Sequence, residues 1–269
     1  MTSAAKVLEN DRIAADLFDD DWLKPVNTWH CYSFAGREGL FLITDVFRDS
    51  KAELKLADQL LTGCPSDATH RTNLDGISAH FSCSSERAAA FRDTSSQGND
   101  WSELRERLRW LAFGYHYDWT SKTYSTEHRS QFPANIQRIA RLIAAVAGYG
   151  TFAPEAAIVN YYNATSTLSG HTDHSEWNLD CPLVSISLGQ PAIYLSGGRT
   201  LEDPPMALML HSGDALVMAG EQRLVYHGVP KVFSGIRRFE QTDCAQLVNG
   251  NVVNWLNTHR INLSIRQLV

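Results

Sequence analysis

From Ala156 to Arg266 the apolar residues recur at every second position, in short runs separated by turn residues. That period belongs to strands with one buried face. It predicts strands near 156–163, 168–173, 183–189, 191–196, 206–211, 214–219, 224–229 and 259–266. Gly197-Gly198, Pro204-Pro205, Ser212-Gly213 and Gly220 punctuate them. Eight short strands with turn signals between them predict a double-stranded β-helix, or jelly roll.

Upstream the period changes. Ile136, Ile139, Ala140, Ile143 and Val146 recur at i, i+3 and i+4, which predicts a helix over 135–147 ended by Gly148. Ser50 to Leu61 reads as a second helix, with Ser50 as cap, Glu53 in the capping-box position and Gly63 as stop. Residues 102–111 read as a third, with Leu104, Leu108 and Leu111 as its apolar stripe. WHCYSF and GLFLIT, within 29–44, are β-like runs. Residues 62–100 are rich in Ser, Thr, Asn and Asp and read as a mobile surface excursion, with a short helix at 86–91 inside it. Phe113 to Phe132 is aromatic and irregular. The fold class is α+β, mostly β. The jelly roll spans 156–269, and the helices of 23–155 pack on the outer face of one sheet as part of the same unit. Residues 1–22 form a polar extension.

Composition narrows the function classes. The 269 residues, 43% of them hydrophobic, suit one large domain. A formal net charge of −6 argues against a basic nucleic-acid coat protein, but a nucleic-acid enzyme needs only a local basic patch. Five cysteines, with no C-x-x-C spacing, read as reduced thiols of an intracellular protein. No apolar run reaches the ~18–20 residues of a membrane span. The start of the chain is too acidic for a transit peptide and lacks a signal peptide's apolar stretch. Nucleus, cytoplasm and mitochondrion stay open.

The chemistry centres on His171-Thr-Asp173. Residues i and i+2 of a strand point to one face, so the imidazole and the carboxylate project together. His227, in RLVYHGVP, is the favoured third ligand, and His211 in HSGD competes with it. Two imidazoles and one carboxylate leave open positions on an octahedral ion, which points to non-haem Fe(II) binding a co-substrate and O2. The last strand, RINLSIR, puts Arg260, Asn262, Ser264 and Arg266 on one face and Ile261, Leu263 and Ile265 on the other. Two arginines facing a barrel interior require anionic partners, because an unpaired buried charge is costly. About 20 Å separates their Cα atoms, so they cannot hold one carboxylate alike. A short dicarboxylate such as 2-oxoglutarate, one end on iron and the other on an arginine, fits that spacing.

Together, Asn160-x-Tyr162, His171-x-Asp173, RLVYHG with His227 and R-x-N-x-S-x-R resemble the AlkB-type Fe(II)/2-oxoglutarate dioxygenases. TNLDG, LRWLAFGYHYDW, FPANI, SISLGQPAIYLSGG and MLHSGDALVMAG are similar to the eukaryotic homologue-1 branch of that family. The likeness runs from about residue 23 to 266.

The resemblance implies Fe(II) on His171, Asp173 and His227. It implies 2-oxoglutarate held by Arg260, with Asn160, Tyr162 and Asn262, and Arg266 nearer the metal, steadying Asp173 or the near carboxylate of the co-substrate. It implies demethylation of bases, N-methyladenine in DNA or RNA being favoured, with release of formaldehyde. Tyr115, Tyr117 and Trp119 become substrate contacts of a recognition lid, with His116 facing the other way. His174, Ser175 and Glu176 become further substrate contacts. Ser175 and Leu201 depart from the bacterial pattern of Asp and Arg, which puts the bacterial base preference in doubt but not the iron groups. Lys231, Arg237 and Arg238 read as solvated, with help in holding a phosphate backbone as the alternative. The expected partner is single-stranded, bulged or looped nucleic acid, bound by a monomer without a membrane. A tRNA-modifying oxygenase and a protein hydroxylase or demethylase stay open as alternatives.

Overall fold

Alternation along the strands decides which side of each sheet is oily and which is polar. The computed structural model describes residues 2–3, 22–75, 84–92, 99–240 and 250–269. Its strands are β1 (Thr2–Ser3), β2 (His30–Phe34), β3 (Arg37–Thr44), β4 (Arg71–Thr72), β5 (Trp110–Asp118), β6 (Thr123–Arg129), β7 (Ala156–Tyr162), β8 (Leu168–His171), β9 (Leu183–Gly189), β10 (Ala192–Ser196), β11 (Met206–Leu210), β12 (Ala215–Met218), β13 (His227–Val232) and β14 (Arg260–Arg266). The larger sheet runs β1-β2-β3-β12-β9-β14-β7-β5-β4, with β6 on β5; the smaller runs β11-β10-β13-β8. Tyr194 and Leu210 of the smaller sheet pack with Leu40, Leu183, Leu216 and Met218 of the larger, closing the jelly roll.

β14 lies between β7 and β9 in unbroken antiparallel register. Ile261, Leu263 and Ile265 therefore stand beside Tyr161, Val159 and Ala157 on one side and Leu188, Ile186 and Val184 on the other. All nine belong to the main core, with Ile136, Ile139, Ala140 and Ile143 of helix Ala134–Val146. Burying each large aliphatic side chain contributes about 1.5–3 kcal/mol. A one-residue slip of β14 would exchange its faces and bury the arginines in that core. The opposite face of the same three strands gathers Arg260, Asn262, Ser264 and Arg266 beside Asn160, Tyr162, Ser185 and Ser187. Among the described residues, no helix is long and apolar enough to cross a membrane.

Several local readings change. The third helix is Asn99–Arg107, and β5 begins at Trp110. The Asn73 side chain accepts from the Arg109 and Trp110 amides and ends the helix. Leu111 then pairs with Val159, because the open edge of β7 outweighs a local leucine stripe. The aromatic stretch is regular: a hairpin of β5 and β6. Gly114 bends it at φ 76°, where a Cβ would lie 2.0 Å from the Glu155 carbonyl oxygen.

Helix Ser50–Asp58 is capped by Asp49, which accepts from the Ala52 amide, and the chain continues helically to Ser66 through a widened turn at Gln59–Gly63. Glu53 does not cap. It is buried, accepting from Ser212 and pairing with Arg238, which is therefore not a free solvated charge. Within the serine-rich excursion, buried Arg87 bonds the Pro65 and His70 carbonyls and Asp75, so residues 64–75 and 84–92 are packed together. Residues 76–83 and 93–98, and the extension except for residues 2, 3 and 22, lie outside the described residues. The strand expected over 224–229 is β13, which starts at His227 and passes Pro230. There the β10–β13 ladder breaks register, so the proline's missing N–H is tolerated.

Candidate metal and co-substrate site

β8 ends on His171, directly across from His227 at the start of β13. Asp173 follows just past the strand end, in a loop rather than on the strand itself. One ligand atom from each of the three residues falls within 4.8 Å of the others. The two imidazole centroids are 4.3 Å apart, and His227 Nε2 is 3.8 Å from Asp173 Oδ2. Each Nδ1 lies against a backbone carbonyl, at 2.9 Å from Ser169 O for His171 and 3.2 Å from Val225 O for His227. Donation there leaves both Nε2 lone pairs for a metal, the tautomer that a ligating histidine needs. Burial pushes the His227 imidazole below its ordinary value, which favours the neutral form. Burial alone would push the Asp173 carboxyl up; Arg266, with Arg223 adding to it, outweighs burial and holds the group far below the usual carboxylate range. Two neutral nitrogens and one carboxylate fit Fe(II). His211 is exposed in the β11–β12 turn, its amide bonded to Asp214, and does not join the group.

Asp173 is gripped at both ends. Arg266 Nη2 donates to Oδ2 at 2.9 Å, and Arg223 Nη1 donates to the Asp173 carbonyl at 2.7 Å. Glu176 ties the two arginines together, 2.7 Å from Arg266 and 2.9 Å from Arg223. The Glu176 side chain is 2% exposed, each of its oxygens ion-paired to an arginine, so in the cavity wall it acts as a strut behind the metal ligand. Arg223 had no role in the sequence reading. Its signal was there: an arginine four positions before a ligand histidine, in a segment otherwise apolar.

The other end of β14 is different. Arg260 is 1% exposed and donates to Ser187 Oγ at 2.7 Å and the Gln190 carbonyl at 3.3 Å. It has no carboxylate partner among the described residues, and its buried Nε has no hydrogen bond at all. Burial pulls this guanidinium down to about 10. Tyr162 sits opposite it in register; burial raises its phenol to about 12, keeping the hydroxyl a donor. Asn262 donates to Ser185 Oγ at 2.7 Å and faces Asn160 across the ladder. These residues and the metal group line one cavity of about 400 Å3. An orphaned buried guanidinium at one end and an open metal face at the other fit 2-oxoglutarate.

The hairpin of β5 and β6 forms the rim. Tyr117, Trp119, Lys122 and Tyr124 line the cavity with His174 and Ser175. Tyr117 Oη lies 3.3 Å from Ser175 Oγ, tying the hairpin to the ligand segment. Trp119 is half exposed, 4.9 Å from Tyr117 by ring centroids. Exposed His174 is turned back onto Thr172. Tyr115 stands outside the cavity, against Trp177 and under Arg129. His116 points the other way, buried and bonded to Ser130 Oγ at 3.0 Å.

This ligand set, on this fold, is that of an iron oxygenase. The profile of the 2OG-Fe(II) oxygenase superfamily matches residues 59–266, and the chain belongs to that superfamily: it is a 2-oxoglutarate-dependent dioxygenase using Fe(II) and O2. It is similar to a Mus musculus protein named nucleic acid dioxygenase ALKBH1, with 34% identity covering 92% of this chain and 68% of the relative. An Arabidopsis thaliana relative, DNA N(6)-methyladenine demethylase ALKBH1A, is 37% identical over 62% of this chain and 50% of its own. The solved structure of OsALKBH1 superposes with a TM-score of 0.57 at 17% identity, covering 88% of this chain and 100% of that one, which bears on the fold.

Proposed function

We propose that this enzyme removes N-methyl groups from nucleic-acid bases, N-methyladenine foremost, and releases formaldehyde. The observation that carries the reading is the rim: an iron and 2-oxoglutarate cavity bordered by Tyr117 and Trp119, whose ring faces suit a planar base. The names of the mouse and Arabidopsis relatives support it. With 2-oxoglutarate and O2, the iron supplies hydroxylation of the methyl carbon, and the hydroxymethyl group then leaves nitrogen as formaldehyde. The chain supplies position. Arg260, with Tyr162 beside it, holds the distal carboxylate. His171, Asp173 and His227 hold the metal, and Arg266, Glu176 and Arg223 keep Asp173 in place. Tyr117 and Trp119 hold the base and keep water from the mouth.

The reading includes a monomer that prefers unpaired or locally opened substrate. The target must leave its stack to reach the cavity, which costs a few kcal/mol from a duplex. An acidic chain offsets little of that through general attraction to phosphate. The test presents one methylated oligonucleotide as single strand, bulge and full duplex at fixed salt, with succinate and formaldehyde measured. A difference of about 3 kcal/mol makes the single strand more than a hundredfold faster. Equal turnover on the duplex would refute the preference. Succinate without formaldehyde would refute demethylation in favour of oxidation with the methyl retained.

A further inference from the structure

Trp177 lies one residue past the cavity wall and is 43% exposed. A single exposed apolar side chain is ordinary on a protein surface. What sets Trp177 apart is its mounting. The residue before it, Glu176, is sealed in two ion pairs with Arg223 and Arg266. The amide after it, of Asn178, is bonded to the Leu268 carbonyl at 2.8 Å. The indole meets the Tyr115 ring edge to face, centroids 5.6 Å apart. The backbone on both sides and one side of the ring are thus fixed before any ligand arrives, and a large apolar surface is still left to solvent.

Its neighbours extend the substrate mouth. Tyr115 and Tyr117 both pack against the cluster of Tyr124, Ala156 and Leu268. Tyr117 belongs to the cavity, and Tyr115 carries Trp177. Arg129 lies over the other partner of that pair, its guanidinium carbon 4.9 Å from the Tyr115 centroid. It is exposed and has no ion pair among the described residues. Trp177 thus adjoins the cavity wall at Glu176 and meets, through Tyr115, the strand that carries the rim residue Tyr117, with the exposed Arg129 guanidinium over the Tyr115 ring. Planar apolar faces beside an unneutralised guanidinium match a base and its phosphate.

We propose that Trp177 is a stacking platform for the unpaired base next to the target nucleotide, with Arg129 on the intervening phosphate. The inference rests on the nucleic-acid reading above and adds to it a second nucleotide subsite outside the iron cavity. Stacking is sequence-tolerant, because every base has a π-face. The subsite therefore selects for an unstacked neighbour and not for a particular sequence.

The experiment is fluorescence anisotropy with a labelled, unmethylated single nucleotide and a labelled pentanucleotide, across a salt series. The proteins are wild type, Trp177→Ala, Trp177→Phe and Arg129→Ala. Wild type gains affinity from one nucleotide to five. In Trp177→Ala that gain falls by roughly five- to a hundredfold, the worth of one stacked base, and Trp177→Phe recovers most of it. The salt slope of Trp177→Ala matches wild type, whereas Arg129→Ala flattens it by about 0.7, one single-strand phosphate contact. Pentanucleotide binding by Trp177→Ala within about twofold of wild type would overturn this inference and leave the base-demethylation reading standing. A flattened salt slope in Trp177→Ala would overturn it as well, because the loss would then be of charge. Failure of wild type to bind either probe would overturn the nucleic-acid reading, and this inference with it.

Discussion

Arg260 and Arg266 occupy the same face of one strand, and both are almost sealed from solvent, at 1% and 5% exposure. Arg266 has two carboxylates, Asp173 and Glu176. Arg260 has a serine hydroxyl and a backbone carbonyl, and an Nε with nothing. The consequence is visible in their acidities. Burial lowers both guanidinium values, but Asp173 pushes Arg266 above the ordinary range, whereas Arg260 falls to about 10. One arginine is part of a finished structure, and the other is half of an interaction. An uncompensated buried charge is a cost that only a ligand can offset. The pair shows how a strand with one chemical face can serve both as scaffold and as receptor, depending on what the neighbouring loops bring.

The comparison can be broken most severely at the metal. His171→Ala, Asp173→Ala or His227→Ala is expected to abolish turnover and Co(II) binding followed by calorimetry, with the fold kept; His211→Ala binds metal like the wild type. Loss of binding in His211→Ala alone would overturn the ligand set. Next comes the finished end. Glu176→Ala leaves two buried guanidinium groups short of a partner, at a cost of about 3–5 kcal/mol. Thermal unfolding then shifts down by roughly 6–20 °C. An unshifted midpoint would mean that Glu176 is no strut.

The unfinished end behaves in the opposite way. Arg260→Met removes an unpaired buried charge, so its unfolding midpoint without co-substrate holds or rises. Its 2-oxoglutarate requirement worsens by about 2–5 kcal/mol, from thirtyfold upward. An unchanged KM for 2-oxoglutarate would remove Arg260 from that role. The smallest effect sharpens the picture of the rim. Burial lowers His116 to about 4, against about 6.5 when unfolded. Between those values the unfolded chain binds a proton that the native hairpin refuses, so native stability falls as pH drops through that window and is unaffected above it. His116→Phe should flatten this dependence in denaturant titrations at pH 7, 5.5 and 4.5; an identical slope would show that His116 does not titrate on unfolding.

Much of the site could be read in the chain because strands impose a period of two. That period alone put Arg260, Asn262, Ser264 and Arg266 on one face, and the antiparallel register then set Tyr162 and Asn160 beside them. The apolar run before His227, with Gly228 and Pro230 after it, also favoured it over His211 in its Gly-Asp turn. Other features depended on partners far away in sequence. Leu104, Leu108 and Leu111 fit a helix locally, but Leu111 joined β7 across 48 residues because an unpaired sheet edge outweighs a weak helical preference.

What the sequence by itself determined is therefore the oily and polar faces, the ligand types and their order, since these follow from local geometry and side-chain chemistry. What only the tertiary structure decided is the pairing of charges. Glu53 reads as a helix cap and Glu176 as a substrate contact, yet each is buried against an arginine brought from far along the chain, Arg238 and Arg223. A buried charge must be paired, but the identity of its partner is set by which loops the closed sheets bring within about 3 Å, and no spacing along the chain encodes that distance.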